Sequence, residues 1–203
     1  MNLALFDLDN TLLPIDSDYA WGEFTNRIGW NDPVAFKAKN DQFYADYQAG
    51  ALDIHDYVRF ATEAVRLRGP EAAAKAHAQF MKETILPQIK PQALELVKAH
   101  QAAGDHVMIV TATNEFVTRP IAQAFGVQEL IAVELARDSK GWITGEISGV
   151  PSFKEGKVLR VEQWLSAHHK NWQDVQITFY SDSINDLPLL QQAQIPVAVN
   201  PDT

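Results

Sequence analysis

The sequence contains no cysteine among its 203 residues. This excludes disulfides, cysteine-ligated zinc, iron–sulfur clusters and thiol nucleophiles, and it is consistent with a reducing compartment. Long apolar runs are also missing, since none approaches the ~18 residues that a membrane span needs. The N-terminus has no basic region before its short apolar stretch, unlike a signal peptide. We therefore expect a soluble, cytoplasmic protein with no membrane partner.

Positive charge is scarce, because 17 Lys and Arg face 26 Asp and Glu and give a formal net charge of −9. Binding to a phosphate backbone depends on Lys and Arg, so this balance argues against a nucleic-acid partner. The hydrophobic share of 46% is ordinary for a globular chain. The length permits one large domain or a core with a smaller insertion, and it leaves the oligomeric state open.

Short apolar runs predict a set of buried strands. The clearest runs are Leu3–Phe6, Val107–Val110, Ile177–Tyr180 and Val197–Val199. They lack polar alternation, which is typical of strands in a parallel sheet with both faces covered. Helical patterns lie between them, such as the one that Pro91 opens and Gly104 closes. The order of strands and helices predicts a doubly wound, Rossmann-like α/β core.

Residues 15–87, called the helical insertion below, have a different pattern. They are rich in Ala, Glu, Gln, Lys and aromatic residues, with few β-branched runs. Breaks that divide them into about four helices fall near Gly29–Pro33, Ala49–Asp53 and Gly69–Pro70. We predict a helical-bundle cap inserted into a core domain made of residues 1–14 and 88–203. The glycine-containing stretch Arg137–Pro151 predicts a β-hairpin or an irregular flap.

Acidic and hydroxyl side chains follow the predicted strands directly. Asp7 and Asp9 follow the first strand, Thr111 follows the second, and Asp182 and Asp186 follow the third. Ligands bind at the carboxyl ends of the strands in an open parallel sheet. Carboxylates that converge there repel one another and raise at least one pKa, which a divalent cation would relieve. Oxygen ligands without cysteine favour a hard ion, and we predict Mg²⁺.

These residue types suit phosphoryl transfer. A carboxylate such as Asp7 can attack phosphorus and form an acyl-phosphate. Asp9 would then serve as acid for the leaving alcohol and as base for the hydrolytic water. Thr111 offers a hydroxyl to the phosphoryl oxygens, whose charge in the transition state also requires a cation. Lys154 and Lys157 are both candidates for that cation.

Four motifs resemble those of the haloacid dehalogenase superfamily. The run Asp7-Leu-Asp-Asn-Thr11 resembles the first motif, Thr111 the second, Lys157 the third, and Ser181–Asp186 the fourth. They occur in the family's order, and the helical insertion lies where type-1 (C1) caps occur. The Thr-Ala-Thr-Asn run, the Thr144-Gly-Glu stretch and Ser-Asp-Ser-Ile-Asn-Asp are similar to the phosphoserine-phosphatase-like branch, subfamily IB.

The resemblance implies a role for each motif. Asp7 would be the nucleophile and a metal ligand, and Asp9 the acid/base with its backbone carbonyl on Mg²⁺. Asp182 would ligate the ion, and Asp186 would support it through water or from behind the ligands. The phosphoryl group would be held by Thr111, Ala112 and Lys157. The predicted activity is Mg²⁺-dependent hydrolysis of a small phosphomonoester through an aspartyl-phosphate.

The predicted substrate is similar to phosphoserine or histidinol phosphate. Phosphoserine phosphatases usually have two glycines where Ala112 and Thr113 stand here, and these side chains would crowd the backbone's approach to the substrate. This departure argues against phosphoserine itself. In the helical insertion we expect Asp16, Asp18 and Arg59 to face the site. Acids there would suit a substrate that carries an amino group.

Three alternatives stand beside this prediction. Asp7 and Asp9 could form only a strand-end turn and a helix cap, although the acids after the third strand argue against that. A phosphotransferase or mutase would use the same aspartyl-phosphate. A non-enzymatic receiver-type domain also has strand-end carboxylates, a threonine, a lysine and Mg²⁺. Asp9 argues against a receiver, because an acid two residues after the phosphoacceptor would shorten the signal.

Overall fold

The computed structural model describes residues 1–200. Five parallel strands form one sheet in the order β3-β2-β1-β6-β7. Their bounds are β1 Asn2–Phe6, β2 His106–Asn114, β3 Glu129–Val133, β6 Gln176–Ser181 and β7 Ile195–Ala198. An antiparallel hairpin is formed by β4 Leu135–Arg137 and β5 Ile143–Ile147, which confirms the predicted hairpin.

The central strand β1 shows why the apolar runs lack alternation. Leu3 and Leu5 belong to the hydrophobic core on one side of the sheet, and Ala4 and Phe6 belong to the core on the other side. All four are at most 1% exposed. Because both faces are buried, apolar side chains stabilise the strand at every position, as in other parallel sheets. The structure confirms the predicted doubly wound α/β core.

The core helices flank this sheet. Their bounds are α4 Pro91–Ala102, α5 Glu115–Ala124, α6 Glu155–Ala167 and α7 Leu187–Leu190. Proline occupies the first position of α4, and Gly104 follows its end with a φ of 81°. These are the start and stop signals that the sequence offered. Among residues 1–200, no helix is long and apolar enough to cross a membrane.

Three helices make up most of the helical insertion: α1 Ser17–Arg27, α2 Pro33–Gln48 and α3 Ile54–Phe80. An aspartate caps each N-terminus and accepts two backbone N–H groups, namely Asp16, Asp32 and Asp53. Gly69 interrupts α3 with non-helical backbone angles. The three α-helices thus form four helical pieces, as the breaks predicted, and a π-helix Met81–Ile85 and a 3-10 turn Leu86–Gln88 follow them.

The chain order reverses at β1. The chain continues from β1 to β2 and β3 on one side of it, then returns to β6 and β7 on the other side. Such a reversal opens a crevice at the carboxyl ends of the strands. The loop after β1 carries the motif Asp7–Thr11 and leads directly into α1. This places the helical insertion next to the crevice.

Candidate active site

A narrow cavity of about 50 Å³ lies at the carboxyl ends of β1, β2 and β6. Five aspartates line it: Asp7, Asp9, Asp16, Asp18 and Asp182. We call the lining residues of the sheet loops the floor and those of the helical insertion the roof. The roof also contributes five aromatic rings: Tyr19, Phe43, Tyr44, Tyr47 and Tyr57. The acids that the sequence singled out at separate points therefore meet in one place.

Asp7 is held at the floor by a lysine. The Lys157 Nζ donates to Asp7 Oδ1 at 2.8 Å and to Asp186 Oδ2 at 2.7 Å. Burial by itself would lower the pKa of Lys157, but the Asp186 and Asp7 carboxylates raise it above its usual value. Burial raises the pKa of Asp7, and the ammonium opposes that effect. Lys157 therefore remains charged at neutral pH beside the carboxylate.

Asp9 accepts two hydrogen bonds that fix its orientation. The backbone N–H of Ser17 donates to Oδ1 at 2.7 Å, and the Thr113 hydroxyl donates to Oδ2 at 2.9 Å. Burial, followed by the negative charge of Asp16, raises the pKa of Asp9 to about 7. A carboxyl group with that pKa can donate and accept a proton near neutral pH, as general acid–base catalysis requires.

Asp182 and Thr111 complete the floor. Thr11 Oγ1 donates to Asp182 Oδ1 at 3.1 Å and accepts the Asp182 backbone N–H at 3.1 Å, so the first and fourth motifs hold each other. Burial raises the pKa of Asp182. The Thr111 hydroxyl accepts the backbone N–H of Thr113 at 3.1 Å, which leaves its proton available to a ligand. Ala112 also lines the cavity.

The floor fits a magnesium ion by the chemistry of its donors. Asp7 and Asp182 each use Oδ1 for a protein hydrogen bond, and within residues 1–200 the Oδ2 of neither has one. Over the same residues, no group of three or more His, Cys, Asp or Glu side chains could hold a metal by itself. Mg²⁺ in proteins usually takes one or two carboxylates and keeps several waters. Two carboxylates with unused oxygens therefore suit it.

Two acids of the roof lie over this floor. Asp16 caps α1 through hydrogen bonds from Asp18 N and Tyr19 N, at 3.0 and 2.8 Å. Asp18 accepts from Asn114 Nδ2 at 3.3 Å. Burial raises the pKa of Asp16 to about 6 and that of Asp18 to about 7.

Four residues that the sequence singled out are not part of the cavity lining: Lys157, which lies behind Asp7, and Arg59, Lys154 and Asp186. The expectation that Arg59 faces the site is not met, because its guanidinium pairs with Asp56 and Glu146 at 2.8 and 3.0 Å. Lys154 donates to the Gly50 carbonyl instead of reaching Asp7. Asp186 is 1% exposed and contacts Lys157 and Ser181, so its direct effect is on the lysine.

Sequence reasoning did not assign a role to Thr113. It treated this side chain only as an obstacle in place of a glycine, whereas its hydroxyl bonds Asp9 across 104 residues of sequence. The strand β2 runs on to Asn114, so Thr111 and Thr113 lie within it, not after it. Side chains two apart on a strand share a face, and that spacing was the available signal.

With this geometry described, the chain can be compared with known proteins. Residues 4–191 match the family model of the haloacid dehalogenase-like hydrolases. The chain therefore belongs to the haloacid dehalogenase-like hydrolase family. It is an enzyme, a phosphomonoesterase of that family.

Relatives and solved structures agree with this assignment. A histidinol-phosphatase of Neisseria meningitidis is 45% identical over 99% of this chain and 91% of its own. A phosphoserine phosphatase of Mycobacterium tuberculosis is 27% identical over 98% of this chain and 65% of its own. A Bordetella pertussis protein of unknown function superposes with a TM-score of 0.92 at 46% identity, covering 99% of this chain and 91% of its own. A substrate-bound phosphoserine phosphatase superposes with a TM-score of 0.65 at 17% identity, covering 97% of this chain and 84% of its own. This likeness shows the shared fold alone.

Proposed function

We propose that this chain is a Mg²⁺-dependent phosphatase that hydrolyses a small phosphomonoester through an aspartyl-phosphate on Asp7. The observation that carries the proposal is the contact of 2.8 Å between Lys157 Nζ and Asp7 Oδ1, behind a cavity that Asp7 lines together with Asp9 and Asp182. A buried cation against one carboxylate, with a second acid in the same cavity, supports the assignment of cation, nucleophile and acid. We also propose that residues 15–87 form the cap and residues 1–14 and 88–203 the core, and that the enzyme works in the cytoplasm.

The proposed reaction has two steps. The Asp7 carboxylate attacks phosphorus, the ester P–O bond breaks, and Asp9 gives its proton to the leaving alkoxide. In the second step a water molecule loses its proton to Asp9 and attacks the aspartyl-phosphate. Inorganic phosphate leaves, and Asp7 is a carboxylate again. The pKa of about 7 on Asp9 suits both proton transfers.

Residues at the floor and behind it would bind the phosphoryl group. Lys157 and the Thr111 hydroxyl would supply a positive charge and a donor for its oxygens, with the backbone of Ala112 beside them. Asp7, the Asp9 carbonyl and Asp182 would hold Mg²⁺, and Asp186 would keep Lys157 in position. The ion would offset the charge of an anionic substrate among carboxylates.

The identity of the substrate rests on the relatives and on the cavity. The 45% identical relative is named a histidinol-phosphatase, and it matches nearly the full length of this chain. Ala112 and Thr113 line the cavity where phosphoserine phosphatases usually have two glycines, which argues against phosphoserine itself. We therefore propose a histidinol-phosphate-like substrate ahead of phosphoserine.

The test measures metal dependence and the intermediate separately. With p-nitrophenyl phosphate, we expect hydrolysis with Mg²⁺ and its loss with excess EDTA. An acid quench during turnover should leave one phosphoryl group on the peptide that contains Asp7, detected by mass spectrometry. Asp56→Asn, an exposed acid on α3 away from the cavity, is the matched control. Activity in EDTA, or an unmodified Asp7 peptide, would contradict the mechanism, and phosphate appearing on an added alcohol would indicate a phosphotransferase.

A further inference from the structure

The roof of the cavity carries charge of one sign. Over the described residues, the acidic side chains that line the cavity are aspartates, no Lys, Arg or His lines it, and Asp16 and Asp18 are the acids of the roof. Lys157, which balances the floor, is 1% exposed and lies behind Asp7. A substrate's phosphate is met at the floor, so the roof acids face the alcohol portion.

The aromatic rings of the roof, like its acids, favour a positively charged ligand group. Tyr44 and Tyr57 line the same cavity as the roof acids Asp16 and Asp18. The face of an aromatic ring attracts a cation, and the attraction grows when the cation is removed from water. Rings and carboxylates together therefore favour a positively charged nitrogen and disfavour a second anionic group.

An independent observation comes from α2. Asn40 lines the cavity, is 2% exposed, and its amide nitrogen has no hydrogen-bond partner within residues 1–200. Gly22 leaves space for it, since a Cβ at that position would lie 2.9 Å from Asn40 Nδ2. A buried amide without a partner is costly unless a ligand completes its hydrogen bonds. The Asn40 amide nitrogen is therefore a candidate hydrogen-bond donor to a polar group of the ligand.

We propose that the roof selects phosphomonoesters of amino alcohols that lack a carboxylate. Asp18 binds the protonated amine, the neighbouring tyrosine rings surround it, and Asn40 hydrogen-bonds a further neutral polar group of the alcohol. A substrate carboxylate at this position would face Asp16 and Asp18 and be repelled. This inference rests on the proposed phosphatase function and narrows its substrate class.

Three phosphomonoesters with a common two-carbon frame test it: phosphoethanolamine, ethyl phosphate and phosphoserine. They carry an amine, neither group, or an amine with a carboxylate. We expect kcat/KM for phosphoethanolamine to exceed the other two by roughly tenfold or more, mainly through KM. Equal values for phosphoethanolamine and ethyl phosphate, or a preference for phosphoserine, would overturn the inference.

Two variants assign the selectivity to residues. Asp18→Asn should bring the ratio of phosphoethanolamine to ethyl phosphate close to one, whereas Asp56→Asn keeps the wild-type ratio. Asn40→Leu, which is close in size, should weaken histidinol phosphate more than phosphoethanolamine, because only the former has a further polar group. Unchanged ratios in both cavity variants would contradict the assignment.

Binding and turnover separate this inference from the proposed function. Hydrolysis of p-nitrophenyl phosphate without amine selectivity would overturn the inference alone. Calorimetric binding of phosphoethanolamine and ethyl phosphate to Asp7→Asn protein measures selectivity without chemistry. Tighter binding of the amine there, with no hydrolysis in the wild type, would retain the inference and reject the phosphatase mechanism.

Discussion

The floor and the roof of the cavity both present aspartates, but within residues 1–200 a buried cation contacts those of the floor alone. Behind the floor, Lys157 Nζ lies 2.8 Å from Asp7 Oδ1 and 2.6 Å from Asp186 Oδ1. At the roof, Asp16 and Asp18 are met by backbone N–H groups and neutral side chains. At the floor, the lysine of the fold itself balances the negative charge. At the roof, the charge of Asp16 and Asp18 would be balanced by bound protons or by a ligand. Under the proposed function, the floor acts on the phosphoryl group that reacts, and the roof contacts the alcohol portion that is recognised.

The largest effect is expected at the nucleophile. Asp7→Asn should reduce turnover by at least roughly 10³-fold, because the amide cannot form the acyl-phosphate. Steady-state kinetics with p-nitrophenyl phosphate measures this. The folded state should persist, because the amide oxygen can still accept from Lys157. Residual turnover within tenfold of the wild type would assign the attack to another group.

Removal of the floor's cation should cost stability as well as activity. Lys157→Met leaves Asp7 and Asp186 buried without a counter-charge, and breaking such a pair costs about 3–5 kcal/mol. Urea unfolding at pH 8 measures the loss, which should shrink at pH 5 because the raised pKa of Asp7 allows it to protonate. Lys154→Met is the matched control, since that side chain donates to one carbonyl. We expect Lys154→Met to lower the free energy of unfolding by about 1 kcal/mol or less.

The acid/base should produce a smaller loss and a change in pH profile. Asp9→Asn should lower kcat by roughly 10²–10⁴-fold. In the wild type, kcat/KM should fall as pH rises through about 7, because the first step needs Asp9 protonated. That alkaline limb should vanish in the variant's residual activity. An identical limb in both proteins would assign the titration to another group.

The smallest effect is expected at the roof, in stability. The folded pKa of Asp18, about 7, lies above its usual 3.8, so the folded state binds the extra proton between those values. Proton binding by Asp18 therefore adds to the free energy of unfolding. This stabilisation is complete below the usual pKa and is lost as pH rises through about 7. Asp18→Asn should therefore stabilise the metal-free protein by about 1–3 kcal/mol at pH 8 and by much less at pH 4. Thermal unfolding at both pH values measures this, and equal shifts would argue against a buried, uncompensated acid.

The floor could be predicted from sequence because strand ends are local features. Asp7, Thr111 and Asp182 each adjoin an apolar run, and parallel strands bring such ends together. The lysine was ambiguous, because Lys154 and Lys157 are three residues apart at one helix start. The structure resolves their positions, since Lys154 precedes α6 with a φ of 51° and Lys157 lies within the helix.

The roof was harder to predict because it depends on how the inserted helices pack. Arg59 was expected at the site, yet its position on α3 directs it to Glu146 of the hairpin. Asn40 gave no signal at all, since one asparagine on a helix rich in polar residues is ordinary. The strand β3 was missed as well, although the other four strands of the sheet were found. Side-chain partners that lie far apart in sequence are decided by tertiary packing.

The position of β1 in the middle of the sheet has a consequence for synthesis. This strand leaves the ribosome first, but one of its two neighbours is β6, which ends at Ser181. The partner of Asp7 lies 150 residues further along the chain. Bringing such distant residues together costs loop-closure entropy before the contact can repay it. A nascent chain therefore cannot pair the nucleophile with its lysine until Lys157 has been synthesised.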